Sequence, residues 1–152
     1  SAMSILKNDN IKLIVVGKGP MKLELKNIAK EMKIEKKIIW IDFVDDLESF
    51  YKKIDVFVLT SNYEGLGLVF LEAMFCKKPI IASNTSAMPE IINNKYNGFL
   101  VKPDNPFMLS KSILKFKNQK LRFKLGNNGF KFLKKNFTVN KMYKETQKVY
   151  LS

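Results

Sequence analysis

The chain has 152 residues, of which 46% are hydrophobic and 27% are charged, a composition typical of one globular domain with its own core. No apolar run approaches the roughly 20 residues of a membrane-spanning helix, and the absence of histidine excludes Ser-His-Asp triads, Cys-His dyads and histidine metal sites. The single cysteine, Cys76, excludes an internal disulfide, and no secretory signal precedes it, so a cytoplasmic location is expected. Residues 1–3, SAM, are interpreted as a tag remnant.

The net charge of +13 has three interpretations. Every basic residue except Arg122 is a lysine, which fits a bias in residue usage, and the chain is also rich in Asn, Ile and Phe. A face for the anionic inner surface of the cell membrane is the second interpretation. Nucleic acid is the third and least favoured, because base-reading proteins rely on arginine.

Short β-branched runs alternate with helical patterns over the first two thirds of the chain. The predicted strands are residues 11–17, 37–43, 55–61, 79–83 and 98–101. The predicted helices are residues 21–32, 45–53 with Asp45 or Asp46 as the cap, and 68–76, followed by a helical turn near MPEII. This alternation predicts an α/β fold with a doubly wound parallel sheet.

After residue 106 the pattern changes to Lys, Leu and Phe at helical spacing, without strand signals. Residues 107–152 are therefore predicted to form a C-terminal helical tail that packs on the same domain. The segment GNNG, residues 126–129, is expected to break this tail between two helices.

Loops that follow strands are the expected binding sites in such a sheet. In VVGKGP, glycines 17 and 19 flank Lys18 and allow the backbone to approach an anion at the start of a helix. Lys22 stands where a dinucleotide fingerprint would have its third glycine, so a plain turn is an equal alternative. The loop SNTS, residues 83–86, offers hydroxyl and amide donors but is also ordinary loop composition.

The loop TSNYEGLGL, residues 60–68, is the most informative. Its glycines 65 and 67 allow backbone amides to face a diphosphate at the positive end of the next helix. Glu64 lies on the loop and Glu72 about one turn into that helix, where carboxylates can accept hydrogen bonds from sugar or ribose hydroxyls. An unpaired buried carboxylate is costly, so Glu72 needs either a ligand or an internal partner.

No D-x-D pair of the kind that holds a divalent ion beside a sugar nucleotide is found, since Asp45 and Asp46 are adjacent. Phosphate binding without a metal or other cofactor is therefore expected.

Three blocks between residues 12 and 106 carry motifs that occur together in one enzyme family. They are KLIVVGKGP; IDFVDDLESFYKKIDVFVLTSNYEGLGLVFLEAM, with an E-x7-E pair at Glu64 and Glu72; and KPIIASNTSAMPEIINNKYNGFLVKPDNP. Together they resemble the C-terminal, donor-binding domain of retaining glycosyltransferases of family 4, which have the GT-B fold and build bacterial lipopolysaccharide, O-antigen and capsule.

The resemblance implies the substrate and the site residues. A hexose or N-acetylhexosamine would pass from a nucleoside diphosphate sugar, UDP-linked by family frequency, to a glycan or a lipid-linked acceptor. Glu64 would act at the transferred sugar, and Glu72 would bind the ribose. The other donor-binding residues would be Gly17, Lys18, Gly19, Gly65, Leu66, Gly67 and Leu68.

The resemblance also marks what departs from the family. Asp42 stands where the family usually has glycine, and Thr85-Ser86 where it has Gly-Gly. Residues 4–106 match the Rossmann-like half without its first strand and helix, and the family's diphosphate-binding Arg and Lys precede the matching region. The partner N-terminal acceptor domain is likewise not represented, so the fragment alone is expected to be inactive. A non-catalytic nucleotide-binding or interaction module of the same fold is the alternative.

Overall fold

The computed structural model describes residues 1–151 as alternating strands and helices, ending in three consecutive helices. The strands are β1 (Leu13–Val16), β2 (Ile38–Ile41), β3 (Phe57–Leu59), β4 (Ile80–Ser83) and β5 (Gly98–Val101). The helices are α1 (Ala2–Ile5), α2 (Lys22–Glu31), α3 (Leu47–Lys53), α4 (Leu68–Phe75), α5 (Met88–Ile91), α6 (Pro106–Lys115), α7 (Gln119–Asn136) and α8 (Val139–Leu151). All five predicted strands are confirmed, with ends shorter by up to two residues.

Every strand pair is parallel, as the alternation predicted. The pairing forms two ladders, β1–β2 and β3–β4–β5, and among residues 1–151 no backbone ladder joins β1 to β3. β4 is fully buried because it lies between two strands and is covered on both faces. Ile80 and Ala82 contribute to one core cluster and Ile81 to another, which confirms helical layers on both sides of the sheet.

The N-terminal helix α1 is packed rather than extended into solvent. Met3 and Leu6 are buried with Ala29 and Ile34 in a third cluster, against which Ile113 of α6 also packs. Residues 2–6 thus contribute to the core that connects the first ladder to α6.

The prediction of a break at GNNG is wrong. α7 runs without interruption from Gln119 to Asn136, and Gly126 and Gly129 lie on its buried face. A Cβ added at Gly126 would lie 2.0 Å from the carbonyl oxygen of Lys77, just after α4. These glycines therefore allow a close approach of two backbones, and the turn chemistry inferred from the sequence is not used.

The last helix, α8, has no buried residue. Side chains at the end of α7 do enter the core, since Phe132 and Leu133 pack against the cluster that contains Phe70 and Met74. Within residues 1–151 no helix has both the length and the apolar character needed to cross a bilayer.

Candidate functional site

The predicted site residues lie in two groups at the carboxyl ends of strands. The loop after β1 meets the end of β2, because the amide of Gly17 donates to the carbonyl of Ile41, the last residue of β2, at 2.9 Å. The loop after β3 meets the loop after β4, where the Ser86 hydroxyl donates to the carbonyl of Glu64 at 2.7 Å. No hydrogen bond or ion pair in the described part of the chain connects one group to the other.

The entry to α4 is shaped by Gly67. Its φ of +59° is left-handed, and an added Cβ would lie 2.7 Å from the Phe70 ring. The carbonyl of Gly67 accepts from the amide of Phe70 at 2.8 Å, which closes the first turn. The amides of Leu68 and Val69 have no carbonyl four residues back within the helix, so this end presents free donors and a positive dipole end.

Glu64 is held in place from two sides. Its carboxylate Oε1 accepts from the Ser61 hydroxyl at 3.0 Å, and its carbonyl accepts from Ser86. The neighbouring Gly65 has open space where a Cβ would be, and Leu66 is exposed. The carboxylate and the following backbone are thus fixed beside the N-terminus of α4 while remaining accessible.

Ser86 explains one of the departures from the family pattern. Its φ is +52°, a backbone conformation that glycine adopts without strain and serine does not. The hydrogen bond from its side chain to Glu64 offsets part of that strain and connects the third candidate loop to the second. Ser83, the first residue of that loop in sequence, lies fully buried in β4 and is not presented to a ligand.

The sequence left open whether Glu72 has a ligand or an internal partner, and the structure provides an internal partner, Tyr51. Oε2 of Glu72 accepts from the hydroxyl of Tyr51 at 3.2 Å, and that hydroxyl also lies 3.2 Å from the carbonyl of Val69. No hydrogen bond from residues 1–151 engages the second oxygen, Oε1. Glu72 also lines an open groove together with Tyr51, Glu48 and Cys76.

Burial is the main cause that raises the pKa of Tyr51 far above its ordinary value, and the negative charge of Glu72 adds to it. Tyr51 therefore stays protonated and acts as a hydrogen-bond donor to the carboxylate at every physiological pH. This hydrogen bond fixes the orientation of the Glu72 carboxylate.

The first loop is open and basic. Gly17 has a φ of +135°, and neither Gly17 nor Gly19 has a neighbour where a Cβ would be; Lys18 is exposed. Lys22, at the third-glycine position of a dinucleotide fingerprint, forms an ion pair with Asp42, which stands where the resembled family usually has glycine. The hydrogen bond and charge of Lys22 lower the pKa of Asp42, and the charges of Lys18 and Lys26 lower it further.

Sequence reasoning missed the residues that position the two glutamates. Ser61 lies three residues before Glu64, a spacing at which a hydroxyl can reach back across a turn, so a local signal existed. Tyr51 is 21 residues from Glu72 and only the packing of α3 on α4 brings them together. Within residues 1–151 no three His, Cys, Asp or Glu side chains are grouped to hold a metal ion.

The sequence profile of one family, described as "Glycosyl transferases group 1", matches residues 1–132. The chain belongs to this glycosyltransferase family. Its fold is that of the C-terminal, Rossmann-like domain of GT-B glycosyltransferases, followed by a helical tail. The solved C-terminal domain of a group 1 glycosyl transferase (LpcC) from Francisella tularensis is 32% identical with a TM-score of 0.80, and the alignment covers 91% of this chain and 76% of that one.

Several curated relatives are longer glycosyltransferases. An uncharacterized glycosyltransferase of Methanocaldococcus jannaschii is 32% identical over 149 residues, 96% of this chain and 38% of that protein. The O-antigen biosynthesis glycosyltransferase WclY of Escherichia coli is 33% identical over 147 residues, 97% of this chain and 40% of that protein. The chain thus spans about two fifths of the length of these relatives.

A more distant likeness concerns the fold alone. The Anabaena protein HepE, solved in complex with UDP, has a TM-score of 0.88 and 20% identity, over 98% of this chain and 43% of that one.

Proposed function

We propose that this domain binds the sugar donor of a retaining glycosyltransferase that moves a hexose or N-acetylhexosamine from a UDP-sugar to a glycan or lipid-linked acceptor. The products would be bacterial surface polysaccharides: lipopolysaccharide, O-antigen or capsule. One observation carries the proposal: Glu64 lies just before the N-terminus of α4 and Glu72 lies about one turn into that helix, and hydroxyl groups of Ser61 and Tyr51 hold both carboxylates in place. Two fixed acceptors around a set of free amides match a ligand that has hydroxyls on either side of a diphosphate.

The helix end supplies the diphosphate seat. The amides of Leu68 and Val69 donate to phosphate oxygens, and the positive end of the helix dipole stabilises the charge that develops on the leaving diphosphate. Gly67 makes this turn possible, since its backbone is left-handed and an added Cβ would collide with the Phe70 ring. The proposed site uses no divalent ion, because the helix amides and Lys18 carry the phosphate charge.

The two carboxylates divide the remaining recognition between them. Glu72 accepts from the ribose hydroxyls through Oε1, while Tyr51 keeps Oε2 oriented. Glu64 accepts from hydroxyls of the transferred sugar, with Gly65 and Leu66 lying alongside. Gly17, Lys18 and Gly19 approach the donor from the first loop, where Lys18 adds a positive charge.

Two relatives support the finer assignment. HepE was solved with UDP, which favours uridine nucleotides for a site on this fold. WclY acts in O-antigen biosynthesis, which favours a surface polysaccharide as the product. We propose that the 152-residue chain is inactive alone, because the acceptor must be held by residues beyond a domain that spans two fifths of its relatives.

Calorimetric titration with UDP, GDP and ADP tests the site. UDP is expected to bind most tightly, and Glu72→Gln is expected to weaken it about 10- to 100-fold, since a hydrogen bond to a charged group contributes about 1.5–3 kcal/mol. Glu31→Gln is the matched control, because this exposed carboxylate at the end of α2 lies outside the candidate site. Failure of all three nucleotides to bind a folded sample, or an equal loss in both variants, would contradict the assignment.

A second titration separates the two glutamates. Glu64→Gln is expected to leave UDP affinity unchanged and to remove the additional affinity for a UDP-sugar, whereas Glu72→Gln weakens both ligands. If a longer protein that contains this chain binds UDP-sugar with the same pattern but transfers no sugar to any acceptor, the non-catalytic module is the better description.

A further inference from the structure

The positive charge of the chain is concentrated in its last three helices. Residues 105–152 contain 12 of the 27 basic residues but only one of the 14 acidic residues, Glu145, so they carry a net charge of +11 out of +13. The first 104 residues, with 15 basic and 13 acidic residues, are nearly neutral. A bias toward lysine in residue usage explains why arginine is scarce, but it does not explain why carboxylates are missing from one third of the chain.

Much of this charge lies on one face of α7. Leu125, Gly126 and Gly129 define its buried side. At 100° per residue, the opposite face carries Lys120, Lys124, Lys131, Lys134 and Lys135. An 18-residue helix is about 27 Å long, so these lysines form a row without an intervening carboxylate.

An apolar side chain lies among the lysines. Phe123 has 73% of its surface exposed although smaller apolar residues of the same helix are buried. The single arginine faces away from the row, since Arg122 donates to the carbonyl of Phe116 and lies 3.5 Å from a carboxylate oxygen of Asp55. The exposed face of α7 thus combines flexible ammonium groups with a phenyl ring and lacks a guanidinium.

From this combination we infer that the lysine face of α7 binds the surface of an anionic phospholipid bilayer, with Phe123 entering the boundary between headgroups and acyl chains. Lysine rows attract anionic headgroups without requiring fixed geometry, and a phenyl ring without a polar group gains by leaving water. A convex helix face fits a bilayer surface better than a single nucleic acid strand, which proteins usually bind in a groove with stacking platforms. This inference does not depend on donor binding, because none of these residues belongs to the candidate site.

Vesicle flotation with the 152-residue chain tests the inference. The chain is expected to bind vesicles of phosphatidylcholine that contain a quarter phosphatidylglycerol, and not vesicles of phosphatidylcholine alone. This binding should fall steeply between about 0.1 and 0.5 M salt, because the Debye length shortens as the salt concentration rises. The triple variant Lys120→Gln/Lys124→Gln/Lys131→Gln is expected to bind about a hundredfold more weakly, from about fivefold per lysine at an anionic surface.

The matched control is Lys12→Gln/Lys30→Gln/Lys36→Gln, which removes the same charge from exposed positions elsewhere and is expected to change binding about twofold at most. Phe123→Ser is expected to weaken binding about tenfold. Its control is Leu23→Ser on α2, where the leucine is 72% exposed.

Equal losses in the two triple variants would overturn the assignment to α7. The inference would also be overturned if the chain bound neutral vesicles as tightly as anionic ones, or if it bound a single-stranded oligonucleotide and no vesicles. A dimer that forms in the absence of vesicles, and that the α7 triple variant alone abolishes, would also overturn the inference, because this face would then bind a second copy of the chain.

Discussion

Replacing Gly126 by alanine perturbs the contact between α7 and the end of α4. The added Cβ would lie 2.0 Å from the carbonyl oxygen of Lys77 and 2.8 Å from its carbonyl carbon, far inside van der Waals contact. That carbonyl cannot move freely, because hydrogen bonds from Lys77 to Met74 and from Lys78 to Ala73 close the turn. Lys77 itself is left-handed, with a φ of +54°.

Two effects of opposite sign set the change in the free energy of unfolding that Gly126→Ala causes. Alanine in a helix interior is favoured over glycine by about 1 kcal/mol. Overpacking against a fixed backbone costs about 3 kcal/mol, at the upper end of the usual range. The expected net loss is about 2 kcal/mol, which lowers the melting temperature of a domain of this size by about 4–8 °C.

Urea denaturation followed by circular dichroism at 222 nm measures this loss, and Gly129→Ala is the matched control. A Cβ at position 129 would lie 3.2 Å from Cγ of Met74, a flexible side chain that can shift, so its stability should change by less than about 1 kcal/mol. If Gly126→Ala is as stable as the parent or more stable, helix propensity alone governs the position and the close approach to Lys77 is refuted.

Three further outcomes are expected. Tyr51→Phe should reduce the loss of stability at high pH, because burial raises the pKa of the Tyr51 hydroxyl in the native state. The stability that the protonated hydroxyl contributes is complete below the pKa of unfolded tyrosine, about 10, and is lost as the pH rises above that value. Urea melts at pH 8 and pH 11 would show a smaller difference for the variant than for the parent, and equal differences would contradict the burial of this hydroxyl. Asn97→Ala should lower stability by about 3 kcal/mol in the same assay, because it leaves the amide of Asn93 and the carbonyl of Ile91 without their buried partner; a loss below about 1 kcal/mol would show that water replaces the side chain. Asp42→Gly should leave the melting temperature unchanged and raise the affinity for UDP in calorimetry, because it removes the carboxylate that pairs with Lys22 beside the basic first loop. Weaker binding would mean that this carboxylate contacts the nucleotide.

The strands and the first helices were predictable because their signals are local. Runs such as 11–17 and 79–83 show their β-branched composition within a few consecutive residues. Asp46, one of the two caps predicted for α3, accepts a hydrogen bond from the amide of Ser49. The break at 126–129 was not predictable in the same way. Glycine favours turns in isolation, and only the tertiary position of Lys77 shows that these glycines serve close packing.

The candidate site was predictable as a set of loops but not as a set of contacts. The glycine pair around Leu66 and the spacing of the two glutamates indicate a loop that enters a helix. The hydrogen bond from Tyr51 to Glu72 and the ion pair of Lys22 with Asp42 join residues about 20 positions apart, so they depend on how the elements pack.

The contact between Gly126 and Lys77 also bears on how this chain opens. α7 and α4 share an interface in which one backbone touches the other, and α7 carries Leu125 and Leu133 into two core clusters on either side of the sheet. Neither helix can detach without exposing the interior of the other, so both belong to one cooperative unit. Their slowest amide hydrogens should therefore exchange at a common free energy, whereas those of α8, which buries nothing, exchange at the rate of a fraying terminus.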